Sequence, residues 1–483
     1  MKRNVSVLRR TKIIATIGPA TEEPKILSDI ISAGADLIRV NMSHGSTKDH
    51  IRWIKSISKV SKNIAKEVGV LVDLQGPKLR IARFKQKSIE LKIGDKFALD
   101  ANLAHDAGTQ ESVGIDYKNL PQDVKKGDIL LFDDGRIVML VDTVLDTKVN
   151  CIVNIGGKLS DHKGFNRQGG GLSAEAITEK DKQDVLLAAE YKADYVALSF
   201  PRSAEDILQI KAMLKNIGSK AGVIAKIERV EAIEALDEII KASDAVMVAR
   251  GDLGVEVGFA ELPAIQKHII KQATALNRAV ITATQMMESM IHSSIPTRAE
   301  VSDVANAIIE GTDAVMLSGE TAVGEYPVQA VESVAQVCLS AERQRVTQIS
   351  EHRLDSYFER VDEAIAMATM YTANHLGVKA IIALTESGST TLWMSRIRSG
   401  IPIYGVSRNK YARGRMTLYR GVYPIDFDIT NCQRWEVIHE VLTALLEQGI
   451  VKVGEKVIVT RGDILGVVGY TNAMKVITVE PTK

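Results

Sequence analysis

The 483-residue sequence predicts an α/β protein: a (β/α)8 barrel interrupted by a small all-β domain and followed by an open α/β domain of parallel type. Three observations lead there. Apolar strand-like runs alternate with amphipathic helical stretches eight times. The alternation breaks after Pro77, and until about Gly170 only short strand-like runs and turn signals occur. From about Ala341 a separate set of strands and helices begins. The expected divisions are 1–75 and 171–340 for the two parts of the barrel, 76–170 for the all-β insertion and 341–483 for the C-terminal domain.

The barrel strands read as Thr11–Ala20, Ala35–Gly45, Val68–Arg80, Ala193–Phe200, Gly222–Glu228, Asp244–Asp252, Arg278–Met286 and Thr312–Glu320. Helices between them show apolar residues at helical spacing, as in Ile51, Ile54, Ile57 and Val60 at three-residue steps. Ser46-x-x-Asp49 forms a capping box before that helix, and Gly69 stops it. Leu262–Leu276 and Arg298–Ile309 are further amphipathic stretches. Met286, Met287 and Met290 sit at helical spacing and read as core packing. The insertion carries Gly94-Asp95, Gly127-Asp128 and Asp134-Gly135 as turns. It closes with the segment His162–Ser173, whose glycines suit a hinge. In the last region, Val378–Ser407 reads as strand, polar loop, helix and strand, and GEKVIVTRGD and MKVITVE add two strands.

Composition excludes several functions. Lys plus Arg (61) nearly balances Asp plus Glu (60), so a net charge of +1 gives no general attraction to nucleic acid or an anionic membrane. Any anion site must therefore be local. Cys151, Cys338 and Cys432 lie far apart without a CxxC pair, which points to reduced thiols, a cytoplasmic setting and no cysteine-based metal site. The basic N-terminal stretch lacks the apolar core of a signal peptide, and no apolar run approaches the length of a membrane span. No Walker-A sequence is present.

The chemistry gathers at strand ends. In barrels of this type the active site lies at the C-terminal ends of the strands. Polar residues arrive there on six of the eight strands: Arg39, Asn41, Ser43, Asp73, Lys226, Glu228, Asp252, Thr282, Thr284, Ser318 and Glu320. Unpaired buried charge is costly, so charges closing an apolar strand need a reason. One such end could be a salt bridge; six aimed at one mouth define a functional centre. Glu228 and Asp252 suit a hard divalent cation, Mg²⁺ or Mn²⁺. Lys226 and Arg39 supply cations for an anionic substrate, a phosphate with a carboxylate. His44 is as compatible with a phosphate contact as with a solvated loop position.

The segments RVNMSHG, DLQGPKLR, AKIERVEA, MVARGDLGVE, TATQMMESM and PTRAEVSDVANAIIEGTDAVMLSGETAVGEYP resemble the pyruvate kinase family, and NIGGKLSDHKG, GGGLSAEAITEKD and TESGSTT resemble its bacterial branch. The match runs nearly the whole length. The resemblance implies a TIM barrel with a lid and an effector domain, and phosphoryl transfer from phosphoenolpyruvate to ADP, giving pyruvate and ATP. It implies that Lys226 stabilises the transferring phosphoryl group, that Arg39 contacts the phosphate, and that Glu228 and Asp252 hold Mg²⁺, with a second Mg²⁺ arriving with ADP. Gly251, Asp252 and Thr284 would hold the substrate carboxylate; Asn41, His44, Arg80 and Lys163 would meet the nucleotide. Thr284, Ser318 and Glu320 would relay a proton to the enolate. A homotetramer is also implied.

The match departs from the family at one place. Many members carry Glu after the Gly-Pro of the third-strand motif and need K⁺, with ligands that would here be Asn41, Ser43, Asp73 and the Leu74 carbonyl. This chain has Lys78 there, and its ammonium could stand in for K⁺. In the C-terminal domain, the loop holding Thr385, Ser387, Ser389 and Thr390 precedes a helix expected to start near Thr391, and would bind a phosphate of a sugar monophosphate or nucleotide effector. Asp463 in the facing loop disfavours a doubly phosphorylated sugar. Two other classes remain open from the residues: a Mg²⁺ lyase or aldolase acting on pyruvate enolates, which has no need of a nucleotide lid, and a metabolite sensor, which has no need of Lys226.

Overall fold

The computed structural model describes residues 8–77, 79–348, 357–428, 436–464 and 468–481. Eight parallel strands close into a barrel: Lys12–Thr16, Leu37–Asn41, Gly69–Asp73, Tyr195–Leu198, Gly222–Ile227, Ala245–Ala249, Ala279–Ala283 and Ala314–Leu317. The last pairs with the first, Lys12 opposite Ala314. Alternate side chains of each strand take opposite sides. Ile14, Leu37, Leu71, Met247, Ile281 and Met316 pack inward. Ile13, Val40, Val72, Val246, Val280 and Val315 pack outward under the helices. Buried on both sides, these strands read as unbroken apolar runs until they reach the mouth.

The helices begin where the sequence places their caps. Ser46 and Asp49 form the reciprocal box that starts Thr47–Asn63, which buries Trp53, Ile54, Ile57 and Val60. Thr297 and Glu300 start Arg298–Glu310 in the same way, and Gly311 ends it in the left-handed conformation. Met286, Met287 and Met290 are fully buried, as core packing requires. Several strand-end readings change: Ser43, Glu228 and Thr284 lie just past strands that end at Asn41, Ile227 and Ala283, and two other residues stand on helices. Arg250–Val257 is helical, so Asp252 stands on the first turn of a helix rather than on strand six. Gly319–Ala322 is also a helical turn, which takes Glu320 off strand eight. In both, the backbone turns at the end of the buried strand, because there the neighbouring strands stop supplying hydrogen bonds.

Between barrel strands three and four the chain forms a six-stranded and a two-stranded sheet around a separate core that includes Phe97, Phe132, Met139 and Phe165. One short helix, Leu120–Asp123, interrupts the strands among the described residues there. Gly169, Gly170 and Gly171, on the return to the barrel, all have positive φ (83°, 75° and 87°), a run that side chains with a Cβ rarely adopt.

The C-terminal sheet has the order Val422–Asp426, Ile403–Ser407, Ala380–Leu384, Lys456–Gly462, Thr471–Thr478. Four strands are parallel, and Thr471–Thr478 adds an antiparallel edge. This domain seals the N-terminal end of the barrel. Met370, Met394, Met416 and Leu418 continue the interior core of the barrel without a break. Charges pin the joint: Arg396 makes a two-pronged pair with Asp313, and Lys12 Nζ donates to the Val422 carbonyl at 2.6 Å. With that end closed, the opposite mouth is the free end. Among the described residues no helix is long and apolar enough to cross a membrane. Cys151 and Cys338 are buried free thiols, and Cys432 lies outside the described residues.

Candidate active site

The mouth is organised around Asp73. Its carboxylate is 1% exposed and lies between two cations. Arg39 Nε donates to Oδ2 at 2.7 Å, while Lys226 Nζ stands 3.3 Å from Oδ1. Lys226 also lies 2.9 Å from Glu228 Oε1 and donates to Ser199 Oγ at 2.7 Å. Lys226 and Glu228 meet as their two-residue spacing suggests, with Glu228 just past the end of strand five at Ile227. Burial opposes the charge on Lys226, but Asp73 and Glu228 outweigh it and raise its proton affinity. For Asp73 burial is likewise overcome, by Lys226 and Arg39, and its carboxyl is held below the usual range.

Glu228 is the exception. Burial pushes its carboxyl up to about 7, Lys226 opposes this, and nearby Asp252 adds to it. Its other oxygen accepts from the Phe200 N–H at 2.8 Å. Lys226 sits on one side of Glu228, and Asp252 brings a second carboxylate close to it. Two carboxylates without sulfur or imidazole fit Mg²⁺, which keeps several waters and completes its shell with substrate oxygens. Among the described residues no cluster of three or more His, Cys, Asp or Glu is placed to hold a metal.

A cavity of about 100 Å³ opens over this floor, lined among others by Arg39, Asn41, Ser43, Lys226, Asp252 and Thr284. Thr284 has φ +67° and turns its hydroxyl to accept the Gly251 N–H at 2.9 Å. Arg250 donates to the Thr284 carbonyl at 2.6 Å and holds this turn. A larger cavity of about 680 Å³ adjoins it, between the mouth and the inserted sheets, and shares Phe200 and Asp252 with the smaller one. His44, Arg80, Lys163 and Gly251 line it, and Lys163 is 2.7 Å from Asp133.

Other expected residues fall elsewhere. Thr282 is fully buried and bonds Thr312 Oγ1 at 3.0 Å, so it does not join Thr284 at the mouth. Ser318 and Glu320 line neither cavity among the described residues. Glu320 accepts the backbone N–H groups of Ser318 and Met287, at 2.7 and 3.1 Å, so its carboxylate holds the end of strand eight. The Leu74 carbonyl accepts from Ser199 Oγ at 2.8 Å, and Asn41 Oδ1 accepts the Ser43 N–H at 3.1 Å. Lys78 lies outside the described residues. Thr385, Ser387, Ser389 and Thr390 sit in the C-terminal domain, where the helix begins at Ser389, two residues before the expected start. Their hydroxyls meet one another or nearby groups: Ser387 with Ser389 at 3.1 Å, Thr390 with Thr471 at 2.8 Å. Two site residues escape the sequence reading. Ser199 ends strand four and Thr16 ends strand one, where it accepts from Arg39 at 3.1 Å. Each is a lone hydroxyl at or just past a strand end, a weak signal in sequence.

A closed parallel barrel whose C-terminal mouth gathers two cations, buried carboxylates and two joined cavities defines an enzyme acting on small anionic substrates. Comparison with known proteins narrows this. Residues 8–331 match the family model "Pyruvate kinase, barrel domain" and residues 363–477 match "Pyruvate kinase, alpha/beta domain". The chain is 52% identical to pyruvate kinase II of Salmonella typhimurium, covering 98% of this chain and 99% of that one. It is 50% identical to a pyruvate kinase of Haemophilus influenzae, over 94% of this chain and 96% of the relative. A crystal structure of a pyruvate kinase from Cryptosporidium parvum superposes with a TM-score of 0.90 at 31% identity, over 98% of this chain and 96% of that one. The chain belongs to the pyruvate kinase family, phosphotransferases whose substrates and products are phosphoenolpyruvate, ADP, pyruvate and ATP.

Proposed function

We propose that this chain transfers the phosphoryl group of phosphoenolpyruvate to ADP in a Mg²⁺-dependent reaction, with the small cavity holding the enolate acid and the larger one the nucleotide. The observation that carries this is Lys226, at the floor of the small cavity with its ammonium fixed by Ser199, Asp73 and Glu228. Phosphoryl transfer needs alignment and neutralised charge more than covalent help, and a preplaced ammonium in a dry site supplies both. Arg39 and Lys226 meet the transferring phosphate. The Gly251 and Asp252 backbone and Thr284 hold the carboxylate, and Asn41, His44, Arg80 and Lys163 meet the nucleotide. Glu228 and Asp252 hold Mg²⁺, which when bound supplies positive charge to carboxylate and phosphate oxygens. Thr284 and Ser318 carry the proton toward the enolate, with Glu320 fixing the turn that bears Ser318. The inserted sheets close over the larger cavity and exclude water, with Gly169–Gly171 absorbing the motion.

The monovalent requirement is read from Lys78. Asp73 faces Arg39 and Lys226, and the Leu74 carbonyl accepts from Ser199, contacts that a monovalent cation there would share. The Lys78 ammonium replaces the ion, and turnover proceeds without K⁺. The loop Thr385–Thr390 binds the phosphate of a sugar monophosphate or nucleotide effector. The assembly is a homotetramer in the cytoplasm. Pyruvate formation from phosphoenolpyruvate and ADP, in K⁺-free buffer and then with K⁺, tests the reading. Turnover without Mg²⁺ removes the metal role. Turnover that appears only on adding K⁺, or a Lys78→Glu variant equally indifferent to K⁺, removes the role of Lys78.

A further inference from the structure

We infer that the joint between the barrel base and the C-terminal domain contains a site for one monatomic anion of the halide class. At that joint is a cavity of about 20 Å³ lined by Arg10, Arg398 and Arg420, by Ser395 and Ser399, and by apolar residues such as Met370. No carboxylate lines it among the described residues. Arg420 is 9% exposed. Its Nη1 donates to the carbonyls of Ile308 and Thr312, at 3.0 and 3.3 Å. Its Nη2 is buried and has no hydrogen-bond partner among the described residues. Buried donors are nearly always paired, and a charged one left over marks a place where something binds.

The neighbouring acids, Glu342 and Asp313, are already paired with Arg10 at 3.6 Å and with Arg396. Glu342 accepts the backbone N–H groups of Arg10 and Thr11, at 2.9 and 2.6 Å. Asp313 is taken by Arg396 at 2.8 Å and by the backbone N–H of Arg420 at 3.0 Å. Burial, with Arg10 and Arg398 close by, lowers the Arg420 guanidinium to about 10 against the pull of Glu342 and Asp313, so it stays charged at neutral pH. The lining thus offers the free Nη2 donor of Arg420 and the positive charge of Arg420 and Arg398.

Size selects the occupant. One water needs roughly 10–15 Å³, so a space of about 20 Å³ suits one small particle better than a tetrahedral oxyanion. A water would accept from Arg420 but leave the surplus charge in place, whereas chloride or bromide answers both. The three arginines span the joint. Arg10 precedes barrel strand one and donates to the Ser399 carbonyl at 2.6 Å, and Arg398 of the C-terminal domain donates to the Glu310 carbonyl at 3.0 Å. An anion between them braces the two domains.

Crystals of the full chain grown with bromide as the halide test this. An anomalous peak in the cavity, touching Arg420 Nη2, is expected; a water without anomalous signal overturns the proposal. In solution, replacing gluconate by bromide at constant ionic strength should raise the thermal midpoint by about 3 °C, because a ligand of the folded state alone stabilises it. An Arg420→Met variant should lose that difference. Equal wild-type midpoints in the two salts overturn the proposal, and the crystal result stands by itself should Arg420→Met fail to fold.

Discussion

Replacing Lys226 by Met separates the two tasks this residue performs. The ammonium is 12% exposed and neutralises Asp73 and Glu228, each 1% exposed. Removing it leaves two buried carboxylates facing Arg39 alone. Breaking a buried pair by deleting one partner costs about 3–5 kcal/mol, because the remaining charge is uncompensated. The Lys226→Met/Glu228→Gln double variant removes one of those charges and restores the Arg39–Asp73 balance, so it should recover about 2 kcal/mol of the loss. The rate should not recover. Losing a preplaced donor at the developing charge costs on the order of 10²–10³ in kcat, about 3–4 kcal/mol. The assay is pyruvate formation at saturating substrates, beside thermal midpoints of wild type and both variants. A single variant that keeps kcat within tenfold of wild type refutes the catalytic role. A double variant no more stable than the single one refutes the charge argument.

Ser199→Ala should lower kcat about tenfold by freeing Lys226, leave KM for ADP nearly unchanged, and be rescued by Ser199→Thr; equal loss in the Ala and Thr variants would show a packing effect instead. Gly414→Ala should destabilise the chain by about 1–3 kcal/mol or more, read as a lower thermal midpoint, since a Cβ there overlaps the Asp194 carboxylate; an unchanged midpoint contradicts the close packing of that joint. Asp194 carries a pH dependence. Burial pushes its carboxyl up to about 7, against a hydrogen bond from Val70 N–H, so the folded state holds a proton that the unfolded state has released. Its contribution is fully present below the unfolded pKa of about 4 and is lost as pH rises to about 7, at up to about 1.4 kcal/mol per unit. Asp194→Asn should flatten urea stability over that range; an identical slope in wild type and variant would exclude Asp194 as the source.

The barrel was legible because its strands are buried on both faces. Runs such as Ala245–Ala249 tolerate no charge until the chain reaches the mouth, so a charge after an apolar run marks both the end of the strand and the place of the site. Lys226 and Glu228 were found in this way, and their two-residue spacing correctly placed them together. The same rule misleads where the chain turns at once into a helix. Sequence alternation extended strands six and eight through Asp252 and Glu320, although backbone hydrogen bonding ends them at Ala249 and Leu317. Ser199 and Thr16 were passed over because a single hydroxyl closing a strand gives little signal by itself.

The sequence by itself determined the order of strands and helices, the interruption after strand three, the family, and the charged residues at the mouth. Periodicity and strand-end charge are local properties of the chain, and long motifs survive intact within it. Only the tertiary structure decided which of those residues touch. Asp73 and Lys226 are separated by more than a hundred residues, and the closed barrel alone brings their charges to 3.3 Å. It also decided that Glu320 fastens backbone, that Thr282 turns away from the mouth, and that Arg420 is left with a buried N–H unpaired. The reason is the same in each case. Burial and partner choice depend on neighbours distant in sequence, and the free energy of a charge or donor is set by those neighbours rather than by its place in the chain.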